Sequence, residues 1–157
     1  MKHSRGTLEA PVVPGPAGDI TATAGEKIYS LWDAYVHADF VTYPSWWEGW
    51  GNQFIEAVFA RLPVVLYEYP VFKTDLASAG FDVVSLGDTL GPPAADGLTT
   101  LPPGRLEAAA DEVITLLQDS TRRTQMTEHN WNVAREHFSY EVLAGLVTRI
   151  AGEVLGR

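Results

Sequence analysis

The sequence predicts an α/β fold built on a partial, doubly wound parallel sheet. Three observations predict it. Short β-prone runs at 40–43, 63–67 and 83–86 are bounded by proline or glycine. Segments with helical apolar spacing lie between them, and the links are short. Strands alternating with helices in this way favour right-handed crossovers, with helices covering a parallel sheet.

Taken in order, residues 1 to about 24 hold Pro11, Gly15, Pro16 and Gly18 among small residues, a composition that suits a flexible arm. From Gly25 onward, Ile28, Leu31, Trp32, Tyr35 and Val36 recur at three- and four-residue spacings, which predicts a helix ending near Ala38. Phe40-Val41-Thr42-Tyr43 is the first strand, closed by Pro44. A helix over 52–62 leads to the second strand, where Pro63 is tolerable as the first residue. A short helix from Phe72 to Ala79, terminated by Gly80, precedes the third strand. Residues 87–104, with Pro92, Pro93, Gly97, Pro102 and Pro103, make a long surface connection. Three helices close the chain, at roughly 105–118, 120–137 and 139–155. The domain division expected is an arm over 1–24 and an incomplete α/β domain over 25–157.

Composition narrows the function classes. The chain has 157 residues, 46% of them hydrophobic and 20% charged, enough to bury a core. Its formal net charge of -9 argues against nucleic acid or an anionic membrane surface as partner, since both need a positive face. Cysteine is absent, which removes disulfides and thiolate metal sites, and a reducing cytoplasm is compatible. Lys2 and Arg5 are followed by a Pro/Gly-rich stretch rather than a signal-peptide core, and no apolar run reaches the about 18 residues of a membrane span. A soluble, cytoplasmic protein is expected. His3, His37, His129 and His137 are too scattered for a metal site, and no cofactor is called for.

The chemistry concentrates where the first strand ends, because ligands of open parallel sheets collect at the carboxyl ends of strands. Tyr43-Pro44-Ser45-Trp46-Trp47 exits there, followed by Glu48, Gly49, Trp50 and Gly51, and a helix begins near Asn52. Glycines let backbone N–H groups approach a ligand, and the helix start adds free donors at a positive dipole end. Glu56 lies one turn into that helix, so its carboxylate can face the crevice bordered by Glu48. Paired carboxylates accept hydrogen bonds from vicinal hydroxyls and fit sugar or ribose diols. A plainer reading stands beside this one: Glu48 is a surface residue, and Glu56 pairs with Arg61 or sits near the helix dipole.

Tyr-Pro-Ser-x-x-Glu-Gly-Trp-Gly at 43–51, Glu56-Ala57 and Leu62-Pro63-Val64-Val65 together resemble the E-x7-E signature of glycosyltransferase family 4. The family's usual form is Pro-Ser, Glu-Gly-Phe-Gly, Glu-Ala and Gly-x-Pro-Val, so Trp50 stands for the commoner Phe. The likeness runs over 25 to about 150, through Met126, Asn130, Ala134 and Phe138-Ser139-Tyr140. Gly51-Asn52-Gln53-Phe54, Glu68-Tyr69-Pro70-Val71-Phe72 and Gly80-Phe81 are similar to the subgroup containing mannosylglucosylglycerate synthase.

The resemblance implies a Rossmann-like, C-terminal part of a GT-B fold and a retaining transfer of a hexose, from a nucleotide-sugar donor such as a GDP- or UDP-hexose to a small polar acceptor. It implies Glu48 as the catalytic residue at the donor sugar and Glu56 on the ribose diol. The N–H groups of Gly49, Trp50, Gly51 and Asn52 would bind sugar hydroxyls and pyrophosphate, with no metal. A whole GT-B enzyme is several times longer, and the strands that supply basic residues to the pyrophosphate are missing here. The expectation is therefore a fragment, inactive alone, that pairs with an N-terminal partner or self-associates through an unprotected sheet edge. Lys73 is the nearest basic residue, readable also as a solvated helix position. Trp32 and Trp131 read as core, whereas Trp46 and Trp47 are placed to stack on a sugar or to pack against another domain. Two other classes remain open: a non-catalytic nucleotide-sugar-binding or assembly module, and a generic doubly wound anion-binding domain. The paired glutamates disfavour the last.

Overall fold

The computed structural model describes residues 30–156. The arm expected over 1–24, and the start of the helix expected from Gly25, lie outside the described residues.

The first described helix, α1, is one turn, Leu31–Tyr35. Ser30 starts it, its N–H and Oγ both donating to Asp33 Oδ2 at 2.7 and 3.0 Å. Turns at His37 and Ala38 carry the chain on to the predicted boundary. Strand β1 (Val41–Tyr43) then leads through a loop to α2 (Asn52–Phe59), followed by β2 (Val64–Leu66). The stretch predicted as a single helix is a π-helical turn, Phe72–Leu76, merging into a 3-10 turn, Ala77–Ala79. Gly80 ends it at φ 91°, as its position predicts. Strand β3 is Val84–Ser85, and α3 (Arg105–Gln118), α4 (Ser120–Phe138) and α5 (Tyr140–Leu155) finish the chain.

The sheet is parallel, in the order β1-β2-β3, with Val41 opposite Val64, Tyr43 opposite Leu66 and Leu66 opposite Ser85. All three residues of the central strand are buried, as expected of a parallel strand covered on both faces. Pro63 sits just ahead of it and contributes only its carbonyl, which accepts from Val41 N–H at 2.9 Å. The prediction of a small parallel α/β sheet with trailing helices is therefore met.

Helix α2 ends three residues before the predicted point, and the cause is local. Arg61 adopts φ 58°, while Arg61 N–H donates to Val58 O and Leu62 N–H to Ala57 O at 2.9 and 3.0 Å. That pair of bonds is a Schellman ending, in which a left-handed residue closes the last carbonyls. The arginine side chain gains partners that a glycine would lack: its guanidinium pairs with Glu128 and lies 4.4 Å from the Trp131 ring centroid. Trp131 is thus half-buried between Arg61 and Arg135, not in the core as predicted. Trp32 is also only half-buried, its ring edge-on to Tyr35.

The core joins the sheet to α2, α3 and α4. Phe54, Leu66, Leu76, Leu116, Val64 and Val84 are fully buried. Met126, Asn130 and Ala134, spaced by four, form the inner face of α4, and Phe138 continues it. Phe54 meets the edges of Phe72 and Phe81, and Phe81 stacks on Phe138, whose ring in turn meets Trp50. This file of rings ties the loop after β1 to the last turn of α4.

Candidate functional site at the carboxyl end of the sheet

Besides the ring contact of Trp50 with Phe138, the loop after β1 is held by a close approach of Tyr69 to Trp50 and Gly51. Gly51 starts α2 in a left-handed conformation, φ 98°, and its carbonyl accepts from Phe54 N–H at 3.0 Å. Tyr69, fully buried beyond the end of β2, donates its hydroxyl to Trp50 O at 3.2 Å. A Cβ on Gly51 would lie 2.0 Å from that hydroxyl oxygen. The glycine is therefore needed twice, for its backbone angle and for its missing side chain. Among the described residues, no acceptor engages the N–H groups from Gly49 through Gln53, so the turn presents a row of open donors at a helix start.

Around this turn stand three tyrosines and two glutamates. Tyr43 and Tyr69 meet edge to face at 5.9 Å, and Tyr43 Oη also reaches Gln53 Oε1 at 3.4 Å. Glu48 is half-buried, near enough for its charge to act on both Tyr43 and Tyr69. Glu56 accepts from Tyr35 Oη at 3.4 Å. Glu56 is thus held by Tyr35, whereas Glu48 lies in the field of Tyr43 and Tyr69. Arg61 pairs with Glu128, not Glu56, which removes one of the plainer readings. Gly49, Trp50 and Asn52 are exposed, Trp50 with 40% of its surface accessible. The sequence places Tyr35, Tyr43 and Tyr69 only as helix, strand and motif positions and gives them no role at the site; the signal available was a tyrosine at the end of β1 and another shortly after β2.

Burial, and then the Glu48 charge, push Tyr69 up from 10.0 to about 12. Burial, and then the hydrogen bond and charge of Glu48, push Tyr43 up further. The neutral phenols are thus bound more tightly in the folded state than in the unfolded one. Their contribution is fully present below pH 10.0 and is lost as pH rises through about 12. Tyr35 is raised too, by burial and then by Glu56, so spectrophotometric titration is expected to show three tyrosines ionising late, together with alkaline unfolding. Tyr69→Phe should remove one of the late protons.

A second feature lies next to the first. A groove of about 510 Å³ is lined by Trp46 and Trp47 after β1, Tyr67, Glu68 and Pro70 after β2, Lys73 and Thr74 beyond them, and Asp88 after β3. Lys73 Nζ and Asp88 Oδ2 are 2.6 Å apart across it, so Lys73 is an ion-paired wall residue. Among the described residues no three His, Asp or Glu side chains converge as a metal site would need, and no helix is long and apolar enough to cross a membrane.

The chain is 46% identical over 119 residues to the mannosylglucosylglycerate synthase of Thermotoga maritima, a match covering 76% of this chain and 27% of that protein. It is 64% identical over 62 residues to the mannosylglucosylglycerate synthase of Petrotoga mobilis, covering 40% and 14%. The chain thus corresponds to little more than a quarter of the length of the curated relatives it matches. No protein-family model matches it. No solved structure matches it either. Its homologues are glycosyltransferases, and they carry the name of the subgroup read from Gly51–Phe54, Glu68–Phe72 and Gly80–Phe81.

Proposed function

We propose that this chain is the donor-binding part of a retaining, GT-B-type glycosyltransferase of family 4, and that the turn from Glu48 to Glu56 holds a nucleotide sugar. The observation that carries this is the row of open N–H donors near two glutamates, Glu56 held by Tyr35 and Glu48 beside Tyr43 and Tyr69, at the end of a parallel strand. The glycosyltransferase homologues support the class of reaction.

In this reading the N–H groups of Gly49, Trp50, Gly51 and Asn52 take the pyrophosphate and sugar hydroxyls, and the dipole of α2 favours the anion. Glu56 accepts from the ribose diol, its position fixed by Tyr35. Glu48 holds the donor hexose and supports positive charge at its anomeric carbon. An acceptor hydroxyl attacks on the face from which the nucleoside diphosphate leaves, the anomeric C–O bond to phosphate breaks, and the departing phosphate takes the hydroxyl proton. Positioning and charge stabilisation do most of the work. A GDP- or UDP-hexose is the donor class and a small glycosylated hydroxy acid the acceptor class. A further, N-terminal sheet domain completes the cleft as partner.

Calorimetric titration of the chain with UDP, GDP and their hexose conjugates tests this. Binding is expected, and Glu56→Ala should weaken it about tenfold, the worth of one charge-assisted contact of about 1.4 kcal/mol. Absence of binding to every nucleotide, with and without an added N-terminal half, would undo the assignment.

A further inference from the structure

The groove beside the Gly turn uses none of the residues assigned to the donor. Its walls come from the carboxyl ends of all three strands, the place where a parallel sheet collects ligands. At about 510 Å³ it falls within the range of small-molecule pockets, about 300–1,000 Å³. Trp46 and Trp47 are 66% and 69% exposed on one rim, two large apolar rings held at the surface next to polar groups.

Glu68 in the lining is held in place by a directed network. Ser85 Oγ accepts from Gly87 N–H at 2.8 Å and from Arg105 Nη2 at 2.9 Å, so its single proton goes to Glu68 Oε1. Gly87 keeps this arrangement open, because a Cβ there would meet Arg105 Nε at 3.3 Å. Glu68 N–H is itself tied to Gly87 O at 2.9 Å. The outcome is a preorganised carboxylate in a groove that two exposed indoles also line, with one lysine against two carboxylates in the lining. That net negative balance disfavours a phosphate or a second anion. Apolar ring faces beside a fixed acceptor suit the C–H face and hydroxyls of a neutral sugar.

We infer that this groove is an acceptor subsite for a neutral hexopyranose ring, stacked on Trp46 and Trp47 with its hydroxyls on Glu68 and Lys73. The word acceptor rests on the donor reading above; the sugar binding does not.

The test is a ligand-observed NMR titration of the full chain with methyl α-D-glucopyranoside and methyl α-D-mannopyranoside, beside a titration with UDP and GDP. Saturable hexoside binding is expected, undisturbed by saturating UDP or GDP. Trp46→Ala and Trp47→Ala, at exposed positions where folding should survive, and Glu68→Gln should each weaken it about fivefold or more; thermal melts report whether each variant is folded. Nucleotide binding without hexoside binding overturns the subsite and leaves the donor reading standing. Hexoside binding without nucleotide binding, the latter absent also after an N-terminal half is added, upholds the sugar groove and sinks the donor reading. Displacement of the hexoside by UDP-glucose or GDP-mannose, but not by UDP or GDP, overturns the acceptor assignment, because the groove would then hold the donor's own hexose.

Discussion

Replacing Gly51 with alanine is expected to destabilise the protein by about 3 kcal/mol, from left-handed strain of about 1 kcal/mol and overpacking of about 2 kcal/mol. The backbone stands at φ 98°, and the new methyl would sit 2.0 Å from a hydroxyl whose tyrosine is wholly enclosed. Tyr69 has nowhere to swing, so either its ring or the loop must move. The explanation is open to a strict check. Tyr69→Phe alone gives up the bond to Trp50 O, about 1 kcal/mol, but in the Gly51→Ala background it removes the colliding atom. Urea denaturation should therefore show the double variant more stable than Gly51→Ala alone, with a coupling of about 1–2 kcal/mol. Simple additivity would mean that the two residues do not meet as described. Recovery should be partial, since the ring carbon behind the hydroxyl would still be 3.0 Å from the methyl.

The second large effect is expected at Asn130, whose surface is 1% accessible. Its Nδ2 donates to Asp82 O at 2.6 Å and its Oδ1 accepts from Asp82 N–H at 2.7 Å, so one side chain serves both backbone groups of a residue just before β3. The neighbouring His129 Nε2 lies 2.7 Å from Gly80 O. Helix α4 thereby grips the turn that carries Phe81 into the aromatic file. Asn130→Leu keeps the volume but strands both partners, at an expected cost of about 3 kcal/mol by thermal or chemical denaturation. Asn130→Asp separates the two bonds. Ionised, it faces the Asp82 carbonyl with a second acceptor; protonated, it can donate again. Its folded-state pKa should therefore lie above the unfolded value, so that stability is present in acid and lost as pH rises. A variant equally stable at both ends of that range would contradict the arrangement.

Much of this architecture was legible because periodicity is local. The helix expected over 120–137 is α4, which spans Ser120–Phe138, and the residues of the family likeness, Met126, Asn130, Ala134 and Phe138, lie on its inner face. Gly80 announces the end of its helix in the same way. The missed features join distant positions or break a local rule. Tyr69 closes on Gly51 across two strands, and the Glu68–Ser85–Arg105 network draws on three separate elements. Neither has a sequence period. Arg61 hid the end of α2 because the left-handed place is usually given to glycine; its strain is offset by Glu128 and Trp131, which are remote in sequence. The Glu48–Glu56 segment stands out as a candidate from its glycines and acids, while the bond from Tyr35 to Glu56 and the closeness of Tyr43 and Tyr69 to Glu48 have no such local signal.

Helix α5 stands apart from all of this. None of its 16 residues is buried, and Leu143, Leu146, Val147, Ile150 and Val154 are 41–67% accessible. Among the described elements it borders α4. A helix of that length without tertiary cover is held mainly by its own turns, and such segments are marginal in water. Its amide protons are therefore governed by fraying of the helix itself, exchanging with solvent long before those of β2. In the chain by itself, this segment is expected to open as a unit of its own, and amide exchange should return a lower opening free energy for α5 than for β2.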